Sequence, residues 1–481
     1  MMKILYLIFY DENIISHKRQ KVNLHGGMIF FPLKILFPVE IPFSSCYNES
    51  KETPASIRLR DIRRFTMKQT PTPLPYIQAF EQLGFGMFVH FGLYSQLEKG
   101  EWTYSIHKRA PEDYKPLRES FRVGSMRDIV ETAKSAGCKY ITLTTRHHEG
   151  FSLYDTKGLS EFDVMHSPTG RDLIREFVEE CRKEDIIPFF YHTTLDWLHP
   201  DFEGNFDRYL DYLYDSVEIL CTEYGKIGGL WFDGNWSKKD ADWKEDRLYK
   251  MIHRHQPDAM VINNTGLSCR GEFGVEEIDA VTYERGMPQP MDQSGRTKYV
   301  AAEMCETLCD HWGIADDINF KPVKQLIEEL CECRKVGANF LLNIGPNADA
   351  SVPLMQKATM QCIGRWMQTY GKAIYNGRPF IYYNGRREFL LRDFYDPNTA
   401  YLFLFDTKQS GGDANVSLHM TEDGMLALPN MPAPVESAIF MDNGKNVPFR
   451  QEGGVLYVKP FGFRYGTSLC VRVAEIHFQE I

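Results

Sequence analysis

The run Gly228-Gly229-Leu230-Trp231-Phe232-Asp233-Gly234 is a short apolar strand that ends in a single carboxylate beside aromatic rings. The chain repeats this arrangement. Other apolar stretches finish in His90, in His147-His148, in Tyr191-His192, in Glu284 and in Glu303. Continuous apolar runs, as opposed to alternating ones, suit parallel strands buried on both faces. Eight can be read: Gly86–His90, Tyr140–Thr145, Ile186–Tyr191, Gly229–Asp233, Met260–Asn263, Val281–Glu284, Tyr299–Met304 and Asn339–Ile344. Helical stretches fall between several of them, at Ser125–Ala136, Arg171–Glu184, Phe206–Tyr224, Ala241–His255 and Pro322–Val336. That alternation predicts an α/β fold whose parallel sheet closes on itself, a (β/α)8-like barrel with polar groups at the C-terminal rim. The connections Gly266–Ile278 and Arg285–Lys298 show no clear helix.

The 481 residues leave room for a barrel of roughly 250 residues and a second domain. After an amphipathic helix at Pro353–Tyr370 the texture changes near Tyr375 to short β-rich runs. These are Tyr401–Phe405, Asn415–His419, Ala438–Met441, Gly454–Val458 and Ser468–Val473, with Asn384-Gly385 and Asn443-Gly444 as turn signals. They read as an antiparallel β-sandwich with a structural role, since no cluster of acids or histidines falls there. The expected organisation is therefore an extension at 1–66, a catalytic barrel at 67–374 and a sandwich at 375–481. Residues 1–66 lack both periodicities, and Met67 reads as a natural start, so the extension is expected to have no fold of its own. Its apolar run Ile4–Tyr10 is cut short by Asp11 and Glu12 and is followed by no small-residue cleavage site.

A net charge of −10 argues against a nucleic-acid or anionic-membrane partner. No apolar run reaches the roughly 18 residues needed to span a bilayer. The 11 cysteines are odd in number and scattered, unlike a disulfide framework, so a reducing, cytoplasmic location is expected, with secretion left open. Cys331 and Cys333 lie in an amphipathic run and read as core residues, not as metal ligands.

Six motifs occur in order. They are Gly86-Met87-Phe88-Val89-His90-Phe91-Gly92, Gly100-Glu101-Trp102, Arg146-His147-His148-Glu149-Gly150-Phe151, Trp231-Phe232-Asp233-Gly234, Ala302-Glu303-Met304-Cys305 and Leu341-Leu342-Asn343-Ile344-Gly345-Pro346. Together, from about Pro75 to Pro379, they resemble the α-L-fucosidases of glycoside hydrolase family 29. The resemblance implies a retaining, exo-acting hydrolase that removes terminal α-L-fucosyl residues from oligosaccharides or glycoconjugates without a cofactor. It assigns Asp233 as nucleophile, because Trp-Phe-Asp-Gly is the family's nucleophile motif.

The chemistry agrees with that assignment. Retention needs a carboxylate nucleophile and a second carboxyl group acting as acid and then base. The nucleophile must stay ionised and oriented, which a strand end held by flanking rings provides. A capping role for Asp233 is the competing reading, but Gly234 and Trp236 are poor helix starters. For the acid/base, Glu284 ends a strand where many members carry Pro-Glu, and Glu303 is the alternative, in the position of the family's Trp-Glu. Arg285 would lower the Glu284 pKa if it turned inward.

His90, His147 and His148 are candidate sugar contacts, since neutral imidazole both donates to and accepts from hydroxyls. Three rim histidines can also ligate zinc, but His90 stands alone where metal-dependent barrels usually place His-x-His. Because consecutive strand residues face opposite ways, at least one of His147 and His148 could point into the barrel wall. Trp102 and Trp231 offer apolar faces to the methyl of a deoxy sugar, and Glu101 could hold two hydroxyls. Tyr191 carries over from the family as a ligand contact, His192 more weakly, and Trp312 belongs to an outer subsite. One departure stands out: Thr265 follows Asn263-Asn264 where many members have Arg, and Arg270 or Arg285 would have to substitute. The competing classes are a metal-dependent barrel hydrolase resembling amidohydrolases and a non-catalytic carbohydrate-binding relative.

Overall fold

Eight parallel strands close into a barrel in the computed structural model, which describes residues 70–406, 421, 423–464 and 466–480. The expected 1–66 extension and the strand expected at Asn415–His419 lie outside the described residues. The barrel strands are β1 Phe85–Val89, β2 Tyr140–Arg146, β3 Ile187–Thr193, β4 Gly229–Asp233, β5 Met260–Asn263, β6 Ala280–Glu284, β7 Ala301–Thr307 and β8 Asn339–Ile344. They pair in chain order, and β8 returns to β1. Nearly every strand residue is buried, which is why the apolar runs are continuous. Phe88, Tyr140, Phe189, Tyr191, Trp231, Ile262 and Leu341 fill the interior. The helix Pro75–Leu83 joins the same cluster, with Phe80 packed edge-on to Tyr140 at 5.8 Å.

Helices at Arg127–Ala136, Leu173–Lys183, Phe206–Thr222, Glu245–His255 and Val323–Lys335 occupy the expected connections. The β5–β6 and β6–β7 connections contain none among the described residues, as their sequences indicate. Pairing between β5 and β6 is thin, with one register pair, Ile262↔Ala280. The buried carboxylate of Asp279 strengthens this seam, accepting hydrogen bonds from Val261 N and the Tyr76 hydroxyl, each at 2.8 Å, and from Lys298 Nζ at 2.9 Å.

The last barrel helix runs Leu354–Asn376, past the expected end, so sandwich strands begin at Gly377. They are β9 Gly377–Tyr382, β10 Phe389–Asp393, β11 Thr399–Leu404, β12 Leu426–Leu428, β13 Val435–Phe440, β14 Phe449–Glu452, β15 Val455–Val458 and β16 Arg472–Phe478. All their pairings are antiparallel, in a five-stranded sheet (β13-β16-β11-β10-β9) and a three-stranded one (β12-β15-β14). The sandwich is fastened to the long helix by Trp366 Nε1, which donates to Val471 O at 2.9 Å.

That helix also passes the helix Arg127–Ala136 closely, because Gly364 has no side chain. A Cβ at 364 would lie 1.9 Å from the Ser135 carbonyl oxygen. Helix propensity favours alanine over glycine by about 1 kcal/mol. The obstructing atom is backbone, however, and cannot rotate away, so an overpacking cost of about 1–3 kcal/mol should exceed that gain. Gly364→Ala is thus expected to lower the melting temperature by a few degrees, measured calorimetrically. An unchanged or higher value would show that the two helices have room to separate.

Candidate active site

Asp233 is the last residue of β4, Glu284 the last of β6, and Asn264 follows the end of β5 between them. Asn264 Nδ2 donates to Glu284 Oε2 at 2.8 Å and, more weakly, to Asp233 Oδ1 at 3.3 Å. Sharing one nitrogen at those distances keeps these two oxygens within about 6 Å of each other, a separation compatible with the roughly 5–5.5 Å between the carboxyl groups of a retaining pair. Asp233 Oδ1 also accepts from Trp236 Nε1 at 2.8 Å, and Oδ2 accepts from the Tyr191 hydroxyl at 3.0 Å. The carboxylate is therefore fixed on both oxygens.

Burial raises the Asp233 pKa, and the hydrogen bonds from Trp236, Tyr191 and Asn264 pull it back down. Glu284 is pushed up to about 7, first by burial and then by the negative charge of Asp233. Asn264, Arg285 and Arg270 oppose that rise. The two carboxyls thus differ in the sense that acid–base work requires: one hydrogen-bonded on both oxygens, the other displaced towards its protonated form.

Glu303 is also pushed up to about 7 by burial, so acidity alone does not separate the two glutamates. Access does. Glu303 is the third residue of β7, not its last, and is 1% exposed. Its Oε1 accepts from Trp231 Nε1 at 3.0 Å, and its Oε2 accepts from the Tyr140 hydroxyl. It does not line the cavity around Asp233, whereas Glu284 does.

That cavity has a volume of about 370 Å³, and its walls include His90, Trp102, His147, His148, Tyr191 and Trp312. Trp231 and Phe88 lie among its lining residues at a ring separation of 4.9 Å. Trp102 stacks on Trp236 (5.8 Å, 17°), and Trp312 stands 5.1 Å from His90. Burial holds both His90 and His148 well below the usual histidine range, so both are neutral. Their tautomers follow from their partners. His90 Nδ1 faces Asn343 Oδ1 at 2.7 Å, and Asn343 is oriented by its own Nδ2, which donates to Trp312 O at 2.6 Å. His148 Nδ1 faces the Thr193 hydroxyl at 2.7 Å, whose proton goes to Leu195 O at 2.6 Å. In both rings Nδ1 carries the hydrogen and Nε2 is left as an acceptor. His148 Nε2 is 3.5 Å from Asp233 Oδ2, a gap that a sugar hydroxyl can bridge by donating to either side.

Several expectations need correction. His147 and His148 both line the cavity. The β2 register shifts between Thr144 and Arg146, and both histidines lie beyond the strand, where alternation no longer applies. The wall-facing groups are Arg146, which donates to Ser216 Oγ at 3.2 Å, and His192, whose Nε2 lies 3.0 Å from the same hydroxyl. Glu101 does not line the cavity. Its Oε2 accepts from the backbone N–H groups of Trp312 (3.1 Å) and Gly313 (2.8 Å) and so braces the loop that carries Trp312.

At the Thr265 departure neither candidate arginine reaches the Asp233 or Glu284 carboxyl group by hydrogen bond. Arg270 Nε donates to the Glu284 carbonyl oxygen, and Arg285 Nη2 donates to Asp310 O at 2.6 Å. The group that does reach both carboxylates is Asn264. Sequence reasoning also missed Trp236 and Lys239 in the lining. The available signal for Trp236 was its position three residues after Asp233. Among the described residues no group of three His, Cys, Asp or Glu side chains is placed to hold a metal ion.

Comparison with known proteins agrees with this geometry. The profile of the Alpha-L-fucosidase family matches residues 63–372. The tissue alpha-L-fucosidase of Mus musculus is 26% identical over 438 residues, covering 78% of this chain and 94% of its own. A putative alpha-L-fucosidase of Caenorhabditis elegans is 27% identical over 343 residues, covering 65% and 69%. Among solved structures, alpha-L-fucosidase isoenzyme 1 from Paenibacillus thiaminolyticus superposes with a TM-score of 0.72 at 28% identity, covering 84% of this chain and 99% of that one. The chain belongs to the α-L-fucosidases of glycoside hydrolase family 29.

Proposed function

We propose that this protein is a retaining exo-α-L-fucosidase that releases terminal α-L-fucosyl residues from glycans, with Asp233 as nucleophile and Glu284 as acid/base. The observation that carries the assignment is the Asn264 amide nitrogen shared by the two carboxylates. In the first step an Asp233 oxygen bonds to the anomeric carbon while the glycosidic C–O bond breaks, and the Glu284 proton passes to the departing oxygen. In the second step Glu284, now ionised, takes a proton from water. The resulting oxygen attacks the anomeric carbon, and the Asp233 carboxylate leaves. His90, His147, His148 and Tyr191 serve the sugar hydroxyls, and Trp102, Trp231 and Trp312 its apolar faces. Glu101 supports the pocket through the Trp312-Gly313 backbone.

Asp233→Asn removes the nucleophilic charge and keeps one oxygen as acceptor, for Trp236 and Asn264. Turnover of an aryl α-L-fucoside should fall by at least about a thousandfold while melting temperature and fucose binding persist. Substantial residual turnover would place the nucleophile elsewhere.

Loss of the acid/base matters most for poor leaving groups. Glu284→Ala should therefore damage hydrolysis of a fucosyl oligosaccharide far more than that of an activated aryl fucoside, and azide should restore the second step. Glu303→Gln should instead act through Trp231, weakening both substrates together with no azide rescue. An exchange of these two patterns would transfer the role to Glu303.

The pH dependence has a fixed sign. The active form has Asp233 ionised and Glu284 protonated, so kcat/KM should decline as pH rises through the Glu284 value of about 7. It should decline again at low pH as the raised Asp233 group takes up a proton. A profile that stays flat well above neutrality for an oligosaccharide substrate would contradict the Glu284 assignment.

A further inference from the structure

We infer that the mouth of this pocket selects an anionic leaving group: an α-L-fucoside whose neighbouring sugar bears a sulfate ester or a carboxylate. The inference rests on the fucosidase reading above and extends it to the aglycone. Glu284 must deliver its proton to the glycosidic oxygen, so residues beyond it towards solvent meet the sugar that departs. Three cations stand there, on three successive rim loops: Lys239 after β4, Arg270 after β5 and Arg285 after β6. All three are exposed, and Lys239 lines the same cavity as Asp233 and Glu284.

The two arginines are held in place by neutral groups. Arg285 adopts φ +47, a left-handed conformation uncommon outside glycine, and its N–H donates to Cys305 O at 2.9 Å. Its guanidinium stands 5.2 Å over the Trp312 ring while Nη2 donates to the Asp310 carbonyl. Arg270 packs against Gly286, where a Cβ would lie 2.7 Å from its Cδ, and its Nε donates to the Glu284 carbonyl. Among the described residues neither arginine forms a salt bridge, nor does Lys239, whereas the adjacent Lys238 pairs with Glu203 at 2.9 Å. Asp240 and Glu272, exposed acids of the same loops, do not line the cavity; nor do Arg270 and Arg285, but these two border it through the Glu284 carbonyl and the Trp312 ring. The mouth is therefore locally cationic on a chain of net charge −10. Ordered guanidinium groups beside a free ammonium suit sulfate or carboxylate oxygens.

The test uses the full chain and matched fucosyl disaccharides: a neutral acceptor sugar, its sulfated form and its carboxylate-bearing form. A neutral aryl fucoside serves as control. At low salt kcat/KM for at least one anionic substrate should exceed the neutral one by roughly three- to tenfold. Added salt should erode that preference, Lys239→Gln should reduce it, and Lys239→Glu should abolish or reverse it. Whichever anionic arm is favoured identifies the source of the charge. Equal kcat/KM for neutral and anionic substrates, or a preference insensitive to both salt and Lys239→Gln, overturns the inference while leaving the fucosidase reading intact. Failure to cleave the neutral aryl fucoside would instead remove that reading.

Discussion

Asn264 Nδ2 lies 2.8 Å from Glu284 Oε2 and 3.3 Å from Asp233 Oδ1, and the surrounding side chains keep these three groups together. At the roughly 5–5.5 Å spacing of a retaining pair, two carboxylates at an effective dielectric near 20 repel by about 3 kcal/mol, equivalent to about 2 pK units. Burial adds to this in the same direction, and one member of the pair responds by holding its proton. Asn264 presents donors to both groups and cannot flip without loss. Its Oδ1 already accepts from the Thr282 hydroxyl at 3.0 Å and Gly266 N at 3.2 Å. Burial raises both groups, but Asp233, with three further neighbours that donate or stand close, is the better stabilised anion, and Glu284, which also faces the Asp233 charge, is the one pushed up to about 7.

The second layer beneath the pocket is built by the same logic. Glu303 is buried where a charge is costly, yet both its oxygens are occupied, by the Trp231 indole and the Tyr140 phenol. It fixes the tryptophan whose ring joins the cavity lining. Glu101 does the equivalent for the loop carrying Trp312, and Asn343 links that loop's Trp312 carbonyl to His90. Carboxylates thus serve in two ways here. Those at strand ends border the cavity, and those one layer away lock the rings that line it.

How much of this was legible in the sequence follows from which forces are local. Continuous apolar runs marked all eight barrel strands to within three residues, because burial on both faces imposes such runs and their short length separates them from buried helices. The absence of helices after β5 and β6 was legible for the same reason. Strand-end position picked out Asp233 and Glu284, the two acids that border the cavity. It failed for Glu303, whose strand continues to Thr307, and for the His147-His148 pair, where a register shift overrides alternation. Glu101 and Trp312 were both read as ligand groups, but the hydrogen bond joining them links loops 211 residues apart in the chain and leaves no trace in either local sequence. Asn264 stood in plain view as half of an Asn-Asn pair. Its role depends on the side-chain positions of two neighbouring strands, which spacing does not encode.

The central claim is that the pair held by Asn264 is spaced for double displacement. Stereochemistry of the first product tests it directly. Proton NMR of an aryl α-L-fucoside digest, recorded before mutarotation of the released sugar, should show α-L-fucose appearing first and the β anomer growing in only afterwards. Initial release of β-L-fucose would mean that water attacks the anomeric carbon in a single step, and the account of Asp233 as a covalent nucleophile would be wrong.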